Sequence, residues 1–240
     1  VPHADIPTWL DQLDRLAAEG VLGQIIPIRR GITPGSGPAH LALFGYDPLV
    51  HQAGRGVLEA NGVGLLVGAA DVAARGNFCT LDATGRVSDR RAGRISSKIA
   101  VPLVERLSAV NVPSAEIEIR HVKEYRFAMV MRGAGLHADI ADTDPQQTGV
   151  PLLAAVAHSD GAQHTAALFN QWIEAARPVL SDQAAANMFT LRGFSSDPQL
   201  PTFEELYSLN AACIAAYPMY RGVARLAGMQ PLLSGDAPEE

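Results

Sequence analysis

Apolar residues recur along the chain with two different periods, and the switches between them divide it into three stretches. Thr8 and Asp11 have the spacing of an N-cap and an acidic N3 residue. Leu10, Leu13, Leu16 and Ala17 then form one apolar helical stripe, with Gly20 as its stop. Val21 to Ile28 reads as a short strand. The turn-rich Gly31-Ile-Thr-Pro-Gly-Ser-Gly-Pro38 leads into a short helix at Ala39 to Phe44. Gly54, Gly56, Gly62, Gly64 and Gly68 crowd the next stretch, which reads as a boundary.

The middle of the chain has the pattern of a separate α+β unit. Asp71 to Leu81 and Arg86 to Asp89 flank Asp82-Ala-Thr-Gly85, a hairpin turn by composition. Ser97 to Val110 is helical. Glu116 to Val122 alternates, with Ile117 and Ile119 on one face, and Tyr125 to Met131 is close enough to pair with it through a tight turn. His164 to Leu180 carries Leu168, Phe169, Trp172 and Ile173 at helical spacing, and Asn187 to Leu191 reads as a strand. From Thr202 the pattern returns to helix, strand, helix. Thr202 and Glu205 make a second capping box, Ala211 to Ala216 reads as a buried strand, and Tyr220 to Met229 as a helix. Such alternation belongs to a parallel α/β layer. Ser234 to Glu240 is a polar tail.

Composition narrows the class. With 48% apolar and 18% charged residues in 240, the chain is neither disordered nor collagen-like nor a coiled coil. No run reaches the roughly 20 apolar residues of a membrane-spanning helix. Val1 to Asp11 has neither a basic nor an apolar leader pattern, so the cytoplasm is the expected compartment. Cys79 and Cys213 suggest neither a disulfide framework nor a zinc ribbon. A formal charge of -6 argues against a nucleic-acid or acidic-membrane partner. Of 19 basic residues only Lys98 and Lys123 are lysine. The arginine excess reflects either base composition or planar forks for carboxylate and phosphate.

Position gives the forks some content. Ser36 lies between two glycines just before a helix start, where free N–H groups and the helix dipole favour an anion. It is read either as a simple N-cap or as a hydroxyl that takes up a phosphoryl group. Its flanks do not make a G-x-S-x-G elbow. In Asp89-Arg-Arg-Ala-Gly-Arg94, three arginines can converge on a phosphate if Gly93 bends the segment; otherwise the segment is a solvated turn. Arg132-Gly133 and Arg192-Gly193 both follow apolar strands and suggest one shared anion site. Asp142-Thr-Asp-Pro145 suits an Asx-turn, or a metal or hydroxyl contact. The histidines form no clear ligand set; His40 is expected to pack or cap beside Ser36. Tyr217-Pro-Met-Tyr220 reads as a structural turn.

Taken in order, these segments resemble a known family. Thr33-Pro-Gly-Ser-Gly-Pro-Ala-His-Leu-Ala-Leu-Phe-Gly-Tyr-Asp-Pro48 is similar to the nucleophile segment of the archaeal-type cofactor-independent phosphoglycerate mutases. The likeness continues through Gly54-Arg-Gly56, Asn77-Phe78, Asp89-Arg-Arg-Ala-Gly-Arg-Ile95, Tyr125-Arg-Phe127, Arg132-Gly133, Asp142-Thr-Asp-Pro145, Leu191-Arg-Gly193 and Ala211-Ala-Cys-Ile214 to Met229. It implies an alkaline-phosphatase-like parallel-sheet α/β domain, incomplete here, from residues 1–66 and 202–240, with an inserted α+β substrate-binding domain at 67–201. It also implies glycolytic and gluconeogenic interconversion of 3-phosphoglycerate and 2-phosphoglycerate through a phosphoserine at Ser36. Two divalent ions (manganese, zinc, cobalt or magnesium) would serve, and no 2,3-bisphosphoglycerate. Arg90, Arg91, Arg94, Arg132 and Arg192 are the implied substrate contacts, with Asp142 and Asp144 as lesser ones.

The sequence also departs from the family. Arg221 stands where the family usually has lysine; it keeps the charge but is a poorer proton carrier. The family's opening Asp-Gly metal ligand and its late Asp- and His-bearing segments find no counterpart, so Ser36 is the one implied metal ligand in the chain. An incomplete and by itself inactive mutase is therefore expected. Two alternatives stay open: a related metal-dependent phosphotransferase or phosphatase for another small phosphorylated acid, and a non-catalytic anion-binding short form. A homo-oligomer is also left open.

Overall fold

The computed structural model describes residues 6–32 and 34–232, with side chains from residue 10 onward; Thr33 and the polar tail lie outside the described residues. Its centre is an antiparallel sheet. Strand β1 (Val72–Leu81) pairs with β4 (Arg126–Arg132) on one side and β5 (Met188–Ser195) on the other. Strand β3 (Glu116–Lys123) extends the sheet beyond β4, and β2 (Val87–Asp89) pairs with the last residues of β1. The expected hairpin between β1 and β2 is present. Asp82 Oδ1 accepts hydrogen bonds from the Thr84 and Arg86 amides at 2.8 and 3.0 Å, and Gly85 takes a left-handed φ of 77°. These are the uses for which turns select Asp and Gly.

The period of two along the strands gives the sheet two different faces. Phe78, Phe127, Met129 and Met131 point to one, where α4 (Ser97–Ser108) and α5 (Gln163–Ala176) cover them with Leu103, Leu107, Phe169 and Trp172. Gly76 lies under the Phe127 ring; a Cβ there would stand 2.0 Å from Cζ. Ala73, Ala128 and Val130 point to the opposite face. There α3 (Arg55–Gly62) and α7 (Pro218–Leu226) supply Val57, Leu58, Val223 and Ala224, and α2 (Ser36–Leu43) supplies Leu41.

Several local expectations need correction. The glycine-crowded stretch is not simply irregular but contains α3, buried over nearly its whole length. A Cβ on Gly56 would meet the Ala73 carbonyl oxygen at 2.3 Å, and one on Gly62 the Pro218 carbonyl oxygen at 2.1 Å. Glycine is there for close backbone approach rather than for a turn. The first helix, α1 (Ile6–Glu19), begins before Thr8, which is therefore not its N-cap. Leu10, Leu13 and Leu16 are each more than half exposed. Val21 to Ile28 is irregular, because no described strand runs beside it to take its hydrogen bonds.

The parallel layer is present as one small β-α-β unit. Strand β6 (Ala212–Ile214) pairs in parallel with β7 (Gln230–Leu232), and α7 is the crossover. Strand β6 is not buried as expected: Ile214 is 74% exposed. The capping box does form. Thr202 accepts from the Glu205 amide, and Glu205 from the Thr202 amide, at the start of α6 (Phe203–Tyr207). No described helix is long and apolar enough to cross a membrane.

Candidate functional site

The second face of the sheet is apolar at one end and cationic at the other. Arg75 on β1 lies opposite Ala128 of β4 and Arg192 of β5, while Asn77 lies opposite Arg126 and Thr190. Beyond the edge of α3 this polar end is open. It forms the floor of a cleft of about 400 Å³ lined by Ser36, Arg55, Arg75, Arg91, Tyr125, Arg126, Tyr217, Met219 and Tyr220.

Each wall is set by local structure. Gly35 is the N-cap of α2 and Ser36 its first residue, so Ser36 is not the capping side chain that one reading of the sequence allowed. Ser36 lines the cleft at a helix start, whose first amides lack intrahelical partners. The first turn of α2 leans on α3 through Gly37, where a Cβ would meet Leu58 Cδ1 at 2.6 Å. His40 packs beside Ser36 as expected. Its Nδ1 lies 2.6 Å from the Ser36 carbonyl oxygen, and its ring lies 4.9 Å from that of Tyr220.

Arg55 begins α3, whose first turn is tied to β5. Ser195 Oγ accepts from the Val57 amide at 3.0 Å, and Gly193, at φ 63°, leaves room for the Arg55 backbone. Arg91 arrives on the loop after β2. Asp89 accepts from the Arg91 and Gly93 amides at 2.8 and 2.6 Å, and Ala92, Gly93 and Arg94 are all left-handed. The bend expected at Gly93 therefore takes in its neighbours too, and the two non-glycine residues store strain there. Arg126 donates to Glu124 and to the Tyr125 hydroxyl, each at 3.0 Å.

Beneath the floor lies Glu59, fully buried in α3. Its Oε1 accepts from Arg55 Nε at 3.4 Å and from the Tyr217 hydroxyl at 3.4 Å, and stands 3.9 Å from Arg75 Nη1; its Oε2 has no partner. Burial pushes the Glu59 carboxyl above its ordinary range, against the pull of Arg75 and Arg55. Burial also lowers Arg75, which is 8% exposed, and the nearby Arg55 adds to this.

The residues singled out from sequence are partly brought together. Ser36 and Arg91 share the cleft. Arg90 and Arg192 adjoin it, held by the acidic turn. Asp144 takes a bidentate pair from Arg90 at 3.0 and 2.8 Å and lies 3.3 Å from Arg192; Asp142 accepts from Arg192 Nε at 3.2 Å and from the Gly193 amide at 2.7 Å. Burial alone would raise Asp144, but hydrogen bonds from Arg90 and the Gln146 amide, with the charges of Arg90 and Arg192, hold it below its ordinary value.

Arg94, Arg132 and Arg221 are not among the lining residues. Arg94 is exposed at the end of its turn. Arg132 sits at the opposite end of β4 from Arg126, roughly 20 Å along the strand, and is held by Glu118, Asp71 and the Leu66 carbonyl. The two Arg-Gly pairs therefore do not share a site: β4 ends at Arg132, whereas Arg192 and Gly193 lie inside β5 at a bulge. Arg221 follows Tyr220 on α7, its Nε buried without a hydrogen-bond partner.

Sequence reasoning missed Arg55, Arg75, Arg126, Glu59 and the tyrosine pair of the Tyr217 turn. Arg75 left the plainest sign, an arginine inside an otherwise small and apolar strand, since arginine is rarely buried without a partner.

Four arginines, a serine and a helix start lining one cleft have the chemistry to suit a small anionic ligand. The chain belongs to the 2,3-bisphosphoglycerate-independent phosphoglycerate mutase family, whose model matches residues 17–186. A Thermosipho melanesiensis protein named "Probable 2,3-bisphosphoglycerate-independent phosphoglycerate mutase" is 44% identical over 231 residues, 95% of this chain and 57% of its own. The chain thus spans little more than half the length of that relative. The solved cofactor-independent phosphoglycerate mutase of Thermoplasma acidophilum superposes with a TM-score of 0.65 at 30% identity, over 82% of this chain and 56% of its own. A Pyrococcus horikoshii protein shares the fold at a TM-score of 0.69 and 24% identity, over 92% and 53% of the two chains. The family resemblance and the mixed α/β class read from the sequence are both borne out.

The two-ion site implied by the resemblance is not supplied by the described residues. Among them, no three His, Cys, Asp or Glu side chains stand close enough to share an ion. Two divalent ions need several such ligands.

Proposed function

We propose that the cleft holds phosphoglycerate, with the phosphoryl group at Ser36 and its charge shared among Arg55, Arg75, Arg91 and Arg126. The observation that carries this is that Ser36, at a helix start, lines one cleft with four arginines. Bidentate guanidinium contacts suit phosphate and carboxylate alike, and the substrate carries both. In the mutase reaction Ser36 Oγ bonds to phosphorus as the glycerate oxygen leaves. The proton of the serine ends on the freed glycerate hydroxyl; the neighbouring hydroxyl oxygen then bonds to phosphorus as the Oγ–P bond breaks, and its proton returns to Ser36. The arginines must hold the intermediate throughout, since glycerate lost before the return step leaves Ser36 phosphorylated.

Arg90, Arg192, Asp142 and Asp144 brace the cleft from the side in this reading; Arg94, Arg132 and Arg221 stay outside the contact set because they face elsewhere. We assign residues 1–66 and 202–240 to the phosphatase-like domain and 67–201 to the substrate domain. The setting is cytoplasmic and glycolytic, without nucleic-acid or membrane partners, and the divalent ions would be held by ligands beyond those described. A second reading, an anion binder without turnover, is favoured by the lack of an ion site among the described residues, and the 240-residue chain alone is expected to behave so.

Calorimetric titration of the chain with 3-phosphoglycerate, in the presence of a chelator, tests the cleft. Binding is expected, weakened about tenfold or more by Arg91→Ala, the scale of a lost charge-assisted hydrogen bond. Binding that Arg91→Ala and Arg75→Ala leave unchanged places the ligand elsewhere.

A further inference from the structure

Glu59 has no direct part in that reading, yet it meets three of the residues that line the cleft. One oxygen of its carboxylate is shared by Arg55 of its own helix, Arg75 of β1 and the Tyr217 hydroxyl ahead of α7, at 3.4, 3.9 and 3.4 Å. Arg126 of β4 adds its charge from further off. All four of these groups line the cleft, and Glu59 itself is shut off from it and from solvent.

Stability gives little reason for a carboxylate here. Its neighbours Val57, Leu58 and Ala60 belong to the apolar core, and Oε2 finds no partner. Buried ion pairs replaced whole by apolar residues of similar size often leave a protein equally or more stable. What a leucine could not do is anchor the guanidinium groups. Arg55 and Arg75 repel one another, so neither holds the other in place at the cleft. A shared acceptor beneath the floor holds them in place before the ligand arrives, which cuts the ordering cost of binding.

We propose that Glu59 is a positioning residue of the cleft, whose buried carboxylate aims Arg55, Arg75 and Tyr217 at the bound anion. The inference rests on the cleft being the anion site. It is tested with sulfate, whose charge is constant near neutral pH, titrated calorimetrically into the whole chain and its Glu59→Leu, Glu59→Gln and Arg91→Ala variants.

Glu59→Leu leaves Arg75 buried without its carboxylate and is expected to melt lower than wild type and to bind sulfate about tenfold or more weakly; Glu59→Gln keeps an oxygen acceptor and is expected to bind within about threefold of wild type. A merely space-filling Glu59 gives the opposite result, with sulfate bound by the leucine variant as tightly as by wild type, and that overturns the proposal. Should the leucine variant not fold, the nitrogen-15 spectrum of the arginine side chains decides. In Glu59→Gln the Arg55 and Arg75 Nε–H signals move while that of Arg91 holds; unmoved signals overturn the assignment. Wild-type chain that binds no sulfate, or Arg91→Ala that binds it unchanged, removes the cleft and this inference together. Binding that depends on Arg91 leaves the glutamate variants to decide on Glu59 alone.

Discussion

Replacing Gly222 by alanine would drive two helices apart at their closest point. Gly222 lies in the middle of α7, and a Cβ there would stand 1.8 Å from the Leu58 carbonyl oxygen and 3.0 Å from the Gly62 amide nitrogen of α3. Ordinary contact between such atoms begins at about 3.5 Å, so the helix axes must part or tilt. The atoms in the way are backbone, and no side-chain rotation relieves them. Alanine gains about 0.8–1.0 kcal/mol in helix propensity over glycine. Overpacking a well-filled site costs typically ~1–3 kcal/mol and more where backbone must shift. With the clash at its most severe, a net loss of about 2 kcal/mol is expected, or roughly 4–8 °C in melting temperature for a chain of this size. Thermal and urea unfolding followed by far-ultraviolet circular dichroism measure it. Gly161→Ala is the comparison, because its Cβ meets only the His137 ring, at 3.5 Å. Since α7 carries Met219 and Tyr220 to the cleft, sulfate affinity should fall as well. A Gly222→Ala protein as stable as wild type would refute the close-packing account of the glycines in α3 and α7.

Other outcomes follow from the same geometry. Asp144 is held below its ordinary pKa in the folded chain, so its contribution is present above the unfolded value near 4 and is lost as pH falls through the folded value. Urea midpoints of wild type should therefore decline below about pH 4, more steeply than those of Asp144→Asn, which starts lower at neutral pH. Burial pushes the Cys79 thiol up to about 12, whereas Cys213 is only partly covered, so a thiol reagent should label one cysteine in the native chain and both in denaturant. Thr202→Ala removes one half of the capping box of α6 and should cost about 1 kcal/mol, read from the urea midpoint.

What the sequence disclosed depended on whether the information was local. The β1–β2 turn, the β3–β4 hairpin, α4, α5 and the capping box at Thr202 are each specified by residues close by in sequence, and each forms much as read, though α5 ends at Ala176. The apolar run Val21 to Ile28 looks like a strand, but a strand needs a neighbour, and none of the described strands lies beside it. The glycines from Gly54 to Gly68 were open to the opposite error. Gly56 and Gly62 admit the backbones of Ala73 and Pro218, which tertiary packing and not the stretch itself brings there. At the site, Ser36 and Arg91 were found through motifs. Arg75 and Arg126 depend on the register of β1 against β4 and β5, and no local pattern encodes that register.

The position of β1 also dictates the order in which the cleft can assemble. The β3–β4 hairpin closes locally, and β1 joins it across some fifty residues, but β5 pairs with β1 across more than a hundred. Long-range closure of this kind comes late in folding because its entropy must be lost before its contacts reward it. Arg192 comes alongside Arg75, and Ser195 ties down the start of α3 beneath Arg55, only when β5 docks. That order predicts a cleft that is incomplete in the folding transition state and complete only in the native one. An anion bound there would leave the folding rate nearly unchanged and act as a brake on unfolding.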